Sequence, residues 1–122
     1  MQKVALLKSS DQAKPSDQAW VKYLSTPHGQ KKFLLLAETF QALGDSTRVK
    51  IVWMLSQGEH NVGEIARHLA MTQPAVSHHL RTLRNLKLVK IRKDGRTSFY
   101  RLDDLHIEKL LHEGIQHVEE FL

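Results

Sequence analysis

Apolar residues recur at spacings of three and four along much of the chain, which is the pattern of amphipathic helices. This spacing predicts a helix over residues 28–43, and Gly44 is expected to end it. Asp45 stands where a helix-capping side chain is needed, ahead of a second apolar run that closes at Gly58. This second helix is expected to bury Trp53 together with its aliphatic residues.

The first fifteen residues lack this periodicity and are polar, so they are predicted to form a loosely ordered tail. Residues 16–24 fit a short helix, which a proline-containing break then ends. The sequence therefore predicts an N-terminal segment, residues 1–27, followed by one folded domain, residues 28–122.

Two further helical segments, residues 62–69 and 73–86, are separated by only three residues, which is the spacing of a helix-turn-helix. Thr72 is placed to cap the second of these helices. Pro74 falls in its first turn, where a missing N–H group does little harm. The residues expected to face inward on this helix are Val76, Leu80 and Leu83.

The opposite face of that helix is polar and basic. Such side chains are suited to reading base edges in a major groove and to holding phosphates, so this face predicts contact with DNA. An ordinary solvated helix face is the alternative, and the position after a three-residue turn favours DNA. The predicted DNA-contacting residues of this helix are Gln73, Ser77, His78 and Arg81.

Two extended runs, residues 88–93 and 96–102, follow the helix-turn-helix and are joined by Asp94-Gly95. An Asp-Gly pair between strands is a strong hairpin signal, because both residues tolerate positive φ. The hairpin, residues 88–102, is predicted to be a basic wing that touches DNA, although a solubilising charged edge is the alternative. Its predicted DNA-contacting residues are Arg92, Lys93 and Arg96.

The last stretch, residues 103–122, is predicted to be a helix that forms a homodimer, because its apolar residues make one continuous stripe. Gly114 lies in mid-helix, where glycine costs about 1 kcal/mol relative to alanine unless it permits a close approach. The predicted interface residues are Ile107, Leu111, Gly114, Ile115 and Val118, with Phe121 continuing the stripe.

Four potential metal ligands lie on this helix in two pairs: Asp104 with His106, and His117 with Glu120. His106 and His117 are roughly 16 Å apart at the usual helical rise, whereas zinc holds its ligands at about 2 Å. One helix therefore cannot close the site. An antiparallel second copy places the first pair of one chain opposite the last pair of the other, so a two-fold axis gives the dimer a pair of such sites.

The composition bears on the expected partner, the available metal ligands and the expected location of the protein. The chain has 122 residues and a net charge of +5, which suits one small soluble domain and raises the question of a nucleic-acid partner. It contains no cysteine, so only histidines and carboxylates are available as metal ligands. No apolar run is long enough for a signal peptide or a membrane span, so we expect a cytoplasmic protein without a membrane partner.

These motifs together resemble the ArsR/SmtB family of metal-sensing winged-helix repressors. The resemblance rests on Ala42-Leu43-Gly44-Asp45 with Arg48, on Val76-Ser77-His78-His79-Leu80, on the Asp94-Gly95 wing and on the terminal Asp-x-His and His-x-x-Glu motifs. It implies a mainly α winged helix-turn-helix with a β-hairpin, dimeric through its N- and C-terminal helices. It also implies that the apo dimer binds operator DNA, and that zinc held by Asp104, His106, His117 and Glu120 across the dimer releases it.

Departures from the family pattern narrow the choice of the metal that this chain is expected to bind. Family members that sense soft metals use cysteines near the start of the helix-turn-helix, where this chain has Asn61. Nickel and cobalt sensors often add an N-terminal histidine, but no histidine precedes His28. Zinc is therefore expected, with cobalt close behind it.

Other interpretations remain open at this point. The same fold could respond to cobalt, nickel or a non-metal signal. A small zinc hydrolase is disfavoured, because four protein ligands leave no open position for water and the chain has no His-Glu-x-x-His motif. No enzymatic activity is therefore expected. His28, His60 and His68 are taken as surface residues. His79 is taken as a core histidine able to link the second helix of the helix-turn-helix to the final helix, which carries the predicted metal ligands.

Overall fold

The computed structural model describes residues 18–122, so the predicted N-terminal tail lies outside the described residues. Two compact units divide the chain, Met1–Ala37 and Glu38–Leu122. The described part of the first unit is helical. The second contains the helix-turn-helix, the wing and the final helix.

The described residues form six helices and three short strands. The helices are α1 (Ala19–Ser25), α2 (Pro27–Leu43), α3 (Ser46–Gln57), α4 (Val62–Leu69), α5 (Gln73–Asn85) and α6 (Leu105–Glu119), and the strands are β1 (His60–Asn61), β2 (Val89–Asp94) and β3 (Thr97–Leu102). The predicted helices and hairpin are therefore present, with boundaries within a few residues of those expected from the sequence.

Side-chain caps fix where three of these helices begin. The Asp45 carboxylate accepts a hydrogen bond from the Arg48 N–H group at 3.0 Å, as predicted for the start of α3. Asn61 and Glu64 form a reciprocal capping box at the start of α4, with both hydrogen bonds at 2.8 Å. Thr72 accepts from the Ala75 N–H group at 3.2 Å, so α5 starts where the sequence indicates.

The three strands form one antiparallel sheet in the order β1-β3-β2. In the hairpin Asp94 pairs with Thr97, and Gly95 adopts φ 63° in the turn, a conformation that favours glycine. Strand β1 was not predicted, because two residues carry no periodicity. It pairs His60 with Tyr100 and Asn61 with Phe99, which adds a third strand beside the wing.

The core of the second unit is aliphatic and lies among α3, α4, α5 and the start of β2. The expectation that Trp53 is buried is wrong, because its side chain is 49% exposed. Helical spacing explains the error: Ile51 and Leu55 lie one turn apart on the inner face, and Trp53 points about 200° away from Ile51. The buried core residues are Ala42, Ile51, Val52, Leu55, Ile65, Ala66, Val76, Leu80, Leu83, Leu88 and Val89.

This architecture confirms the predicted fold class, a mainly α winged helix-turn-helix with an antiparallel β-hairpin. Helices α4 and α5 are the helix-turn-helix, and β2 and β3 are the wing. Across residues 18–122, none of the helices is both long and apolar enough to cross a membrane.

Candidate functional site

The turn between α4 and α5 is held by backbone hydrogen bonds. Ala70 adopts a left-handed conformation, φ 53°, and its N–H group donates to the Arg67 carbonyl at 3.3 Å. The Met71 N–H group donates to the Ala66 carbonyl at 2.9 Å, which closes α4 tightly. The turn therefore fixes the orientation of α5 relative to α4, and with it the face of α5 that is exposed.

Helix α5 separates an inner apolar face from an outer polar face. Val76, Leu80 and Leu83 are buried, as predicted. The outer face carries the residues predicted to touch DNA: the side chains of Gln73, His78 and Arg81 are exposed and that of Ser77 is half-buried. The structure thus leaves this polar and cationic set open to a large partner.

His79 anchors α5 to α3 through a hydrogen bond that the sequence did not reveal. The Arg48 Nε–H group donates to His79 Nδ1 at 3.1 Å, so Nδ1 is the accepting nitrogen of this imidazole. The partner of His79 is therefore on α3, rather than on the final helix as considered from the sequence. The backbone N–H group of Arg48 donates to the Asp45 carboxylate that caps α3, and this hydrogen bond holds the pKa of that carboxyl below its usual value.

The three predicted DNA-contacting residues of the wing differ in their surroundings. Lys93 and Arg96 are exposed. Arg92 donates to both carboxylate oxygens of Glu59, with the shortest contact at 2.8 Å, and its guanidinium lies 4.9 Å from the centroid of Phe99. These hydrogen bonds lower the pKa of Glu59 and raise that of Arg92.

Arg92 is therefore already engaged in an ion pair with Glu59, which holds its side chain against the sheet. A carboxylate beside a cation also repels phosphate, so Lys93 and Arg96 are better placed for DNA than Arg92. The sequence could not show this, because the two partners are 33 residues apart.

The first pair of predicted metal ligands lies at the start of α6. Asp104 is the N-cap, and its Oδ1 accepts from the N–H groups of His106 at 2.9 Å and Ile107 at 3.2 Å. The Ile107 N–H group is the main cause that keeps the pKa of Asp104 low, so the carboxylate stays ionised. His106 is 90% exposed, and its Nδ1 lies 3.6 Å from Asp104 Oδ1. This pair therefore has the close spacing that two ligands of one ion need.

The second pair lies at the other end of α6. His117 packs edge-on against Phe121 with ring centroids 5.7 Å apart, and Glu120 is the C-cap residue. Both side chains are exposed. Among the described residues, no group of three or more potential metal ligands comes together.

The apolar stripe of α6 is divided between two environments. Ile107 and Leu111 are half-buried against the core of their own protomer, although both were predicted to lie in a dimer interface. Val118 is exposed, and Phe121, which continues the stripe, is 69% exposed. A Cβ atom added at Gly114 would meet no described atom within 4 Å. The outer part of the stripe thus remains uncovered.

One histidine taken as a surface residue is half-buried. His60 lines an open groove of about 570 Å³ together with His68, Trp53, Leu69 and Ile115. The Nδ1 atom of His60 is buried without a hydrogen-bond partner among the described residues. His28 and His68 are exposed, as expected.

Comparisons with known proteins identify relatives across most of the chain. A family model described as "Bacterial regulatory protein, arsR family" matches residues 45–90. The HTH-type transcriptional regulator KmtR of Mycobacterium tuberculosis is 40% identical over 85 residues, which are 70% of this chain and 65% of KmtR. The cadmium resistance transcriptional regulatory protein CadC homolog of Staphylococcus aureus is 42% identical over 86 residues, which are 70% of this chain and 71% of that protein.

A solved structure shares the same fold. The homodimeric winged helix-turn-helix DNA-binding domain of Mb0332 from Mycobacterium bovis superimposes with a TM-score of 0.75 at 26% identity, and the match covers 80% of this chain and 91% of that one. These relatives and this neighbour are transcriptional regulators or a DNA-binding domain.

Proposed function

The chain belongs to the ArsR family of bacterial regulatory proteins, and from this premise we propose that it is a metal-responsive transcriptional repressor whose apo dimer binds operator DNA and whose DNA affinity falls when zinc binds. The observation that carries the proposal is the outer face of α5, polar and uncovered, beside a wing with exposed cations. In a helix-turn-helix dimer, two such helices enter successive major grooves about 34 Å apart.

The DNA-contacting residues proposed are those with free donors on this surface. Gln73, Ser77, His78 and Arg81 face the base edges or the phosphates nearest to α5. Lys93 and Arg96 at the wing tip contact the backbone or the minor groove. Arg92 contributes indirectly, because its hydrogen bonds to Glu59 hold the wing in place.

The proposed metal ligands are Asp104 and His106 of one subunit and His117 and Glu120 of the other. Their donor atoms are imidazole nitrogens and carboxylate oxygens, which suit tetrahedral zinc and, after it, cobalt. The absence of cysteine from the sequence argues against a soft metal, even though the CadC homolog is named for cadmium resistance. Bound zinc would join the two subunits by coordination and so favour one arrangement of the dimer.

Exposed apolar residues support the dimer. On α6 the uncovered large side chains include Leu110 and Val118, which lie one turn before and one turn after Gly114, and the exposed Phe121 follows just after the helix ends. Helices α1 and α2 also expose large apolar side chains, among them Trp20 and Phe33. Patches of this kind mark interaction surfaces in soluble proteins, and a second copy would cover them through the N- and C-terminal helices.

Response to the metal requires a difference in free energy between two dimer states. If zinc weakens DNA binding by some factor, DNA must weaken zinc binding by the same factor. Such coupling free energies are typically about 1–3 kcal/mol, or roughly 5–150-fold in affinity. This reciprocity separates a metal-responsive repressor from one that merely carries a bound ion.

The decisive experiment is fluorescence anisotropy of the protein on the DNA upstream of its own gene, first in chelator and then with zinc, at one stated salt concentration. We expect tight binding in chelator and its loss at about one to two zinc ions per dimer. His117→Ala should bind DNA as the wild type does and should no longer respond to zinc.

The matched control is His112→Ala, which removes an exposed histidine of the same helix that points away from His106 and His117. It should keep the full zinc response. DNA binding that is indifferent to zinc would refute the metal-responsive part of the proposal, and the absence of DNA binding in both states would refute the repressor itself.

Substitution of Gly114 tests the dimer interface. Because a Cβ atom would meet nothing in the described protomer, Gly114→Leu should fold normally, yet it should weaken the dimer if two α6 helices cross there. We expect at least a tenfold increase in the dimer dissociation constant, about 1.4 kcal/mol, measured by sedimentation equilibrium.

Gln116→Leu is the control for this test, since it adds the same side chain on a different, exposed side of α6. It should leave the dissociation constant within about twofold of the wild type. Equal effects of the two substitutions would place the interface elsewhere.

A further inference from the structure

A cationic cleft lies between the C-terminal half of α5 and strand β3. It has a volume of about 690 Å³, and it shares Ser77 and Arg81 with the outer face of α5. Its polar lining consists of Ser77, Arg81, Arg84, Asn85, Lys87 and Tyr100. Three of these six residues are cations and none is a carboxylate, so the cleft has the chemistry of an anion site.

The cations of this cleft are not neutralised by the protein. Within residues 18–122, Arg81, Arg84 and Lys87 form no ion pair, whereas two cations of the neighbouring strand β2 do: Lys90 lies 3.2 Å from Asp103, and Arg92 lies 2.8 Å from Glu59. The acidic partners in this region are thus placed outside the cleft. Uncompensated positive charge in a concave site attracts an anion more strongly than the same charge on a flat surface.

Lys87 adopts a backbone conformation that is unfavourable for a lysine. Its φ is 59°, in the left-handed region, and its N–H group donates to the Arg84 carbonyl at 2.9 Å where α5 ends. Glycine or asparagine usually occupies this position at a helix end, because other side chains are disfavoured in the left-handed region. Lys87 therefore lies just after the end of α5, in the lining of the cleft.

We propose that this cleft binds a backbone phosphate of the DNA duplex that α5 reads. The inference rests on the proposed DNA-binding function. Arg84 offers a planar pair of donors to the phosphate, Lys87 a compact charge, and Tyr100 a hydroxyl donor. Arg84, Lys87 and Tyr100 have no place in the sequence-based prediction of the DNA surface.

Two features favour a DNA phosphate over a free anion. Ser77 and Arg81 belong both to the cleft and to the outer face of α5, so the two surfaces are continuous. The cleft also lies between α5 and a strand of the wing, the two elements proposed above to contact DNA. A phosphate held there would fix how deeply α5 enters the groove, without reading sequence.

Salt dependence of DNA binding tests the inference, because each phosphate contact contributes about 0.9 to the slope of log affinity against log salt concentration. The variants are Arg84→Gln, Tyr100→Phe and Lys87→Asn, the last chosen because asparagine tolerates a left-handed backbone. Anisotropy in chelator from 50 to 200 mM salt should show a slope smaller by about 0.9 per lost contact, or about 1.8 per dimer, for Arg84→Gln and Lys87→Asn.

The variants should lose DNA affinity by the same factor on operator and on unrelated duplexes, since a phosphate contact carries no sequence information. Tyr100→Phe should weaken binding with little change in slope, because it removes a neutral donor. Lys50→Gln is the matched control: it deletes an exposed cation of α3 outside the cleft, and its slope should equal that of the wild type.

Three results would overturn the inference. Unchanged slopes in Arg84→Gln and Lys87→Asn, with normal DNA binding by the wild type, would reject the cleft and leave the repressor intact. Saturable binding of inorganic phosphate that Arg84→Gln abolishes, again with an unchanged DNA slope, would assign the cleft to a free anion. A wild-type protein that binds no duplex would reject the cleft together with the function on which it rests.

Discussion

Replacement of Leu83 by alanine is expected to destabilise the helix-turn-helix unit by about 2–5 kcal/mol. Leu83 lies on the inner face of α5 and is 0% exposed, in a cluster with Val76 and Leu80. Shortening its isobutyl side chain to a methyl group loses the transfer free energy of the buried isopropyl part and leaves a cavity that the surrounding residues only partly fill. Domains of this size are stable by only about 5–15 kcal/mol, so the loss is large.

Urea unfolding followed by circular dichroism measures this effect. Leu122→Ala is the matched control, because it deletes the same atoms from a side chain that is 93% exposed, and it should change the unfolding free energy by less than about 0.5 kcal/mol. DNA affinity of Leu83→Ala should recover at low temperature or with a stabilising osmolyte, as the folded fraction rises. Similar free energies of unfolding for the two alanine variants would mean that packing of Leu83 in this core does not stabilise α5.

Features determined by neighbouring residues were predictable from the sequence. Asp45 and Thr72 accept hydrogen bonds from N–H groups three residues ahead of them, so they mark the starts of α3 and α5 locally. Asp94 and Gly95 specify the hairpin turn in the same way. The winged helix-turn-helix follows from these local signals, together with the apolar spacing between them.

Features that depend on distant pairing were not predictable. The Arg48 to His79 hydrogen bond joins residues 31 positions apart, and the Glu59 to Arg92 pair spans 33. Strand β1 exists only because β3 pairs with it. Trp53 was misplaced for a different, local reason: helical spacing from the buried Ile51 and Leu55 turns Trp53 outward.

The proposed metal ligands illustrate both limits. Their types and pairwise spacing are visible in the sequence, whereas the hydrogen bonds that Asp104 accepts from the N–H groups of His106 and Ile107 are seen only in the structure. In the proposed site, the two pairs meet only across a second chain. Rescue of zinc binding in a mixed dimer tests this arrangement directly.

Mixing two damaged variants is expected to restore metal binding in their heterodimer. The first variant carries Asp104→Asn with His106→Ala, where asparagine retains the helix cap. The second carries His117→Ala with Glu120→Gln. Each homodimer has only half of the ligands at both sites, so its zinc affinity should fall by about a thousandfold or more. The heterodimer contains one site with all four ligands and one with none.

Two different affinity tags allow the heterodimer to be purified, and competition with a chromophoric chelator counts its tightly bound zinc. We expect about one zinc per heterodimer, about two per wild-type dimer and none per variant homodimer. Because the rescued site combines ligands from both chains, no arrangement within one protomer can produce this result. A heterodimer that binds no more zinc than the homodimers would exclude an intersubunit site made of these four residues, whereas the DNA-binding surface of α5 and the wing would be unaffected.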